Sequence, residues 1–90
     1  VIIVFNKSFM KDYINIQSLL RDADISAEIY PSESKIRKQM EYANKINSPA
    51  VILYGEDEIK SGKPTLRNLI TGKEKSIEIK ELINEIKKII

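Results

Sequence analysis

Apolar and polar positions along this chain switch between the strand period and the helix period. Val1-Ile2-Ile3-Val4-Phe5 is an unbroken apolar run, the pattern of a strand buried on both faces. Asn6, Lys7 and Ser8 carry helix-cap chemistry. Phe9, Met10, Tyr13, Ile14, Leu19, Leu20 and Ala23 follow at broadly helical spacing, which predicts a first helix over about residues 8 to 23. Ile25, Ala27 and Ile29 share one face of a predicted strand from Ile25 to Tyr30, and Pro31 ends it. Ser32 or Ser34 can cap a second helix. Its buried stripe is Ile36, Met40, Ala43 and Ile46, and Asn47-Ser48-Pro49 breaks it.

Ala50 to Tyr54 is again continuously apolar and predicts a strand in the middle of a sheet. It stops at Gly55, before a carboxylate-rich loop of Glu56, Asp57 and Glu58 and then Gly62. Residues 63 to 70 and 74 to 79 read as an antiparallel pair joined at Thr71-Gly72-Lys73. Glu81 to Ile90 closes the chain as a helix whose apolar face is Leu82, Ile83, Ile86, Ile89 and Ile90. The order β-α-β-α-β, hairpin, α predicts an α/β domain with a mixed five-stranded sheet flanked by three helices.

Ninety residues make one domain, 1 to 90. The chain opens inside a strand without an initiator Met, as expected of a domain cut from a longer protein. There is no Cys and no His. Thiol nucleophiles, imidazole bases and the usual zinc sites are therefore excluded. No apolar run nears the roughly 20 residues that cross a bilayer, so no membrane partner is expected. The net charge is only +2, so affinity for a polyanion must come from a local patch.

Two constellations could carry chemistry. Lys35, Lys38, Tyr42 and Lys45 recur on the second helix away from its apolar stripe. A basic face with an aromatic suits a ribose-phosphate chain with a base to stack, although lysines also belong on solvated helix faces. The second is the acidic loop and Arg67, which the hairpin brings back beside it. A carboxylate and a guanidinium on neighbouring strands can read a flat polar edge such as a nucleobase. The consecutive acids lack the alternating ligand spacing of a calcium loop, so no metal site is expected. No catalytic residue is expected either, since the chain has no nucleophile elbow, no triad base and no Gly-rich phosphate loop.

The run Lys35-Ile36-Arg37-Lys38-Gln39-Met40-Glu41-Tyr42-Ala43-Asn44-Lys45 resembles the K-x-x-K-Q-x-x-Y-A-x-K helix of the histidyl-tRNA synthetase family. Gly55-Glu56-Asp57-Glu58, Gly62, Thr65-Leu66-Arg67-Asn68-Leu69 and Gly72 resemble the strand-loop-strand of that family's carboxy-terminal anticodon-binding domain. Leu20-Arg21-Asp22-Ala23-Asp24-Ile25-Ser26-Ala27-Glu28 is similar to its L-R-x-A-G-I-x-A-E segment, with Asp24 in place of glycine at a helix end, a position Asp tolerates.

The resemblance implies a cytoplasmic, homodimeric parent that charges tRNA(His) with histidine using ATP and magnesium, with no cofactor in this domain. In the related threonine enzyme, the last Glu of the loop and an Arg nine residues on contact anticodon bases; those positions match Glu58 and Arg67. A carboxylate accepts both edge donors of guanine, which suits Glu58 or Glu56 to the GUG anticodon. Lys35, Lys38 and Lys63 would hold phosphates, Tyr30 or Tyr42 would stack on a base, and Gln39 completes the RNA-binding set. Competing readings are the anticodon-binding domain of another synthetase, a protein-interaction domain of a synthetase-like regulatory subunit, and a small-ligand α/β enzyme.

Overall fold

The computed structural model describes all of residues 1 to 90. Its elements are β1 (Ile2–Ile3), a 3-10 turn (Lys7–Phe9), α1 (Met10–Asp22), α2 (Ile36–Lys45), β2 (Ala50–Leu53), α3 (Glu56–Ser61), β3 (Thr65–Asn68), β4 (Glu74–Ser76) and α4 (Ile79–Ile89). One sheet runs β1-β2-β3-β4, parallel between β1 and β2 and antiparallel thereafter.

Register sorts the strand residues by face. Ile2, Ile52 and Leu66 lie in one row and form the main core with Tyr13, Ile16 and Leu20 of α1 and Leu82 and Ile86 of α4. Ile3 and Val51, on the other face, pack against Ala43 of α2. The first apolar run is continuous because it is covered twice: Ile2, Ile3 and Val4 are fully buried. The core helices therefore divide between two layers, with α2 over β1 and β2.

Four strands form where five were expected. The segment from Ile25 to Tyr30 shrinks to one parallel bridge, Ile2 to Ile29, made by Ile2 N–H to Glu28 C=O and Tyr30 N–H to Ile2 C=O. Pro31 follows at once, and the next pair of β1 hydrogen bonds is taken by a side chain instead: Val4 bonds Gln39 through both its N–H and its C=O.

Helices number four where three were expected, because the acidic cluster is α3. Its three acids occupy the first turn, where carboxylates complement the helix dipole. Gly62 ends α3 with left-handed φ of 72°, and the bonds Gly62 N–H to Ile59 C=O and Lys63 N–H to Glu58 C=O close the turn. Asp24 at φ 61° ends α1 the same way, as its position in the sequence suggested. Three apolar assignments are corrected: Ile14, Ile46 and Ile90 are 47%, 43% and 65% exposed. Ile16 takes the place in the α1 stripe that its helical spacing from Tyr13 and Leu20 allows.

Candidate nucleic-acid interface

The carboxyl ends of β1 and β2 meet the amino ends of α2 and α3 at one pole. Parallel strands followed by helices bring them there, and polar groups gather at such ends. The backbone of the β1 extension is pinned from both sides. Val4 is held by Gln39 of α2 at 2.7 Å in each direction, and the Phe5 N–H donates to the Tyr13 hydroxyl of α1 at 3.0 Å. Beyond these anchors Phe5 is 37% exposed.

Glu58 joins Phe5. It sits three residues after the α3 N-cap, Gly55, and its side chain folds back over that glycine. A Cβ on Gly55 would lie 3.5 Å from the Glu58 carboxylate and 3.5 Å from the Phe5 ring. Ring and carboxylate thus both border Gly55, at distances a Cβ there would meet as ordinary van der Waals contacts. The Glu58 carboxylate has no protein partner, unlike Glu56, which pairs with Lys60 at 3.3 Å. An aromatic face beside a free carboxylate offers both contacts a splayed base uses: stacking, and acceptance from edge N–H donors. Phe5 escaped the sequence reading because it closes an apolar run. The signal available was strand alternation, which carries Phe5 past the last covered position.

Arg67 does not meet Glu58. It faces Val51 and Glu74 in the register, while Gly55 lies four residues beyond Val51 along the chain, roughly 13 Å at strand rise. The Arg67 ion pair is therefore with Glu74, at 3.3 Å across β3 and β4. Both groups lie on the α2 face beyond the cover of α2, with side chains 40% and 47% exposed. The Nε of Arg67 is buried and has no acceptor. The expected juxtaposition of acid and guanidinium is thus replaced by two separate stations, Arg67 with Glu74 and Glu58 with Phe5.

Lys35 and Lys38 are exposed at the start of α2, next to the Gln39 anchor, and neither forms an ion pair. Lys63 is exposed just after α3. Two expected contacts need correction, those of Gln39 and Tyr30. Gln39 is fully buried, and both ends of its amide are spent on Val4 and Ser34, so its side chain is not presented to a ligand. Tyr30 is only 9% exposed, with its ring edge-to-face against Tyr42 at 5.4 Å and 78°. Tyr42 in turn donates its hydroxyl to Glu28. That hydrogen bond is the main cause raising the Tyr42 phenol above its ordinary range. Tyr30 is thus withdrawn from a stacking role, whereas the half-buried Tyr42 and the exposed Phe5 keep aromatic surface toward solvent.

No group of three or more acidic, His or Cys side chains is placed to hold a metal ion. No helix is long and apolar enough to cross a membrane.

Residues 1–89 match the family described as anticodon binding domain. Among curated proteins, the chain is 38% identical to histidine–tRNA ligase of Pelagibacter ubique over 95 aligned positions, all of this chain and 20% of that protein. It is 40% identical to histidine–tRNA ligase of Clostridium tetani, over 87% of this chain and 18% of that protein. The chain thus spans about one fifth of the curated relatives it matches. Histidyl-tRNA synthetase of Nostoc superposes with a TM-score of 0.93 at 23% identity, covering 97% of this chain and 21% of that one. The RNA-binding domain of threonyl-tRNA synthetase from Cryptosporidium parvum superposes with a TM-score of 0.87 at 16% identity, covering 98% of this chain and 22% of that one.

Proposed function

Because this chain belongs to the anticodon-binding domain family, we propose that it reads the anticodon of tRNA(His) as the carboxy-terminal domain of a histidine–tRNA ligase. The observation that carries the reading is the pairing of Phe5 with the unpartnered Glu58 carboxylate over Gly55. A guanine stacked on Phe5 presents N1–H and its N2 amine at its edge, and a carboxylate accepts both. Arg67 stands at the other station, as a donor-only group for another base. Lys35, Lys38 and Lys63 would take phosphates, setting position without sequence information.

On this reading the 90 residues supply recognition. Histidine activation with ATP and magnesium belongs to the remainder of a cytoplasmic, homodimeric parent. The identities to histidine–tRNA ligases support the histidine branch over other synthetases.

The test is a titration of the isotopically labelled domain with a GUG anticodon stem-loop and with one whose anticodon is replaced. Amide shifts concentrated at Phe5, Gly55 to Glu58 and Arg67, larger for the GUG stem-loop, are the expected result. Shifts confined to lysines and equal for both RNAs would refute base reading. No binding to either RNA would favour a protein-docking role.

A further inference from the structure

Glu74 faces Arg67 in the β3–β4 register, on the same side of the sheet, and its Oε1 lies 3.3 Å from Nη1. β4 is the last strand of the sheet, so this carboxylate stands between Arg67 and the open edge. Both side chains remain reachable by solvent. The register places Arg67 and Glu74 side by side on the part of the sheet face that α2 leaves uncovered.

An isolated arginine on an open surface takes phosphate readily, because its planar fork matches phosphate oxygens. Such contacts supply affinity without sequence information. A carboxylate in ion-pair contact changes that preference. A phosphate approaching Arg67 also approaches Glu74, and like charge cancels most of the attraction. A neutral acceptor, such as O6 or N7 of guanine or a uracil carbonyl, meets no such repulsion. It still finds directed N–H donors on the guanidinium. The covered Nε adds to this, since an acceptor that re-aims the fork can relieve a donor with no partner.

We propose that Glu74 is a specificity-determining residue. It blocks phosphate capture at Arg67 and reserves the guanidinium for carbonyl and ring-nitrogen acceptors on a nucleobase edge. Discrimination by repulsion of the wrong ligand is a general device at selective interfaces. This inference rests on the reading that the sheet face binds anticodon bases.

The experiment compares wild type, Glu74→Gln, Arg67→Ala and the double variant. Binding of the GUG stem-loop and of a replaced-anticodon stem-loop is measured by fluorescence anisotropy across a salt series. In Glu74→Gln, the replaced-anticodon RNA should bind roughly three- to tenfold tighter, the GUG RNA should gain less, and the salt slope should steepen by about 0.7–0.9, the increment for one added phosphate contact. The double variant should lose the gain. Unchanged affinities and slope in Glu74→Gln, or equal weakening for both RNAs, would overturn the role of Glu74 while Arg67→Ala still impairs GUG binding. If Arg67→Ala leaves GUG binding intact, base reading by Arg67 fails, and the role of Glu74 falls with it.

Discussion

Gln39 completes the β-ladder of Val4 with its side chain. Its Oε1 accepts from the Val4 N–H and its Nε2 donates to the Val4 C=O, both at 2.7 Å, in a fully buried site. The amide imitates a strand residue where the chain has already turned away at Pro31. The same Nε2 donates to Ser34 C=O at 2.9 Å, tying the approach to α2 into the joint.

Substitution of Gln39 by Leu keeps the volume but strands the Val4 N–H and C=O away from water. The expected loss of folding stability is about 2–4 kcal/mol. Denaturant unfolding measures it. A loss under about 0.5 kcal/mol would mean that water replaces the amide freely.

Phe5→Leu keeps an apolar side chain over Gly55 and removes the aromatic face. Stem-loop binding should weaken by about 1–3 kcal/mol, the usual value of one stacked base. The melting temperature should move little, since Phe5 is already partly exposed. Calorimetric titration beside a thermal melt separates the two effects.

Arg67→Ala and Lys38→Ala should differ in kind. The arginine variant is expected to lose about 1–3 kcal/mol with the GUG stem-loop and much less with a replaced anticodon. Its stability should hold within about 1 kcal/mol, because an exposed cross-strand pair contributes little. The lysine variant should weaken both RNAs alike and lower the salt slope by about 0.7–0.9. Anisotropy at several salt concentrations distinguishes the two behaviours.

Glu85 gives the domain an acid-sensitive clasp between β4 and α4. Its carboxylate accepts from Lys75 at 2.8 Å and lies 3.6 Å from Lys88. The hydrogen bond from Lys75 is the leading cause holding its carboxyl below the ordinary 4.5. A carboxyl with a depressed value in the folded state stabilises that state above the ordinary value. The contribution is lost as pH falls through 4.5 toward the folded value. Glu85→Gln should therefore be less stable than wild type at neutral pH and should show a shallower decline across the acid window. Parallel pH–stability curves would disprove the linkage.

Most of the architecture was legible in one dimension. The doubly covered β1 and β2 announced themselves as unbroken apolar runs, and the stripe containing Ile36, Met40 and Ala43 gave α2. Local signals failed where the answer depended on a distant neighbour. Ile25 to Tyr30 alternates like a strand, yet it keeps one bridge because Gln39 takes the next ladder position on β1. The polar type of Gln39 suggested a ligand contact, while its partner Val4 lies 35 residues away in the chain. Glu56 to Glu58 looked like a loop because the acids were weighed for ligand chemistry, although acids are also what a helix start prefers.

The site divides along the same line. That this stretch carries a carboxylate cluster, an arginine and a lysine-rich helix is a property of the chain alone, since residue type and spacing fix what chemistry is available. Which acid stays free, which partner holds Arg67, and which aromatic faces outward were decided only when the strands took their register. Pairing sets neighbours by distance across the sheet: Arg67 was drawn to Glu74 opposite it, and Glu58 was left beside Phe5 at Gly55.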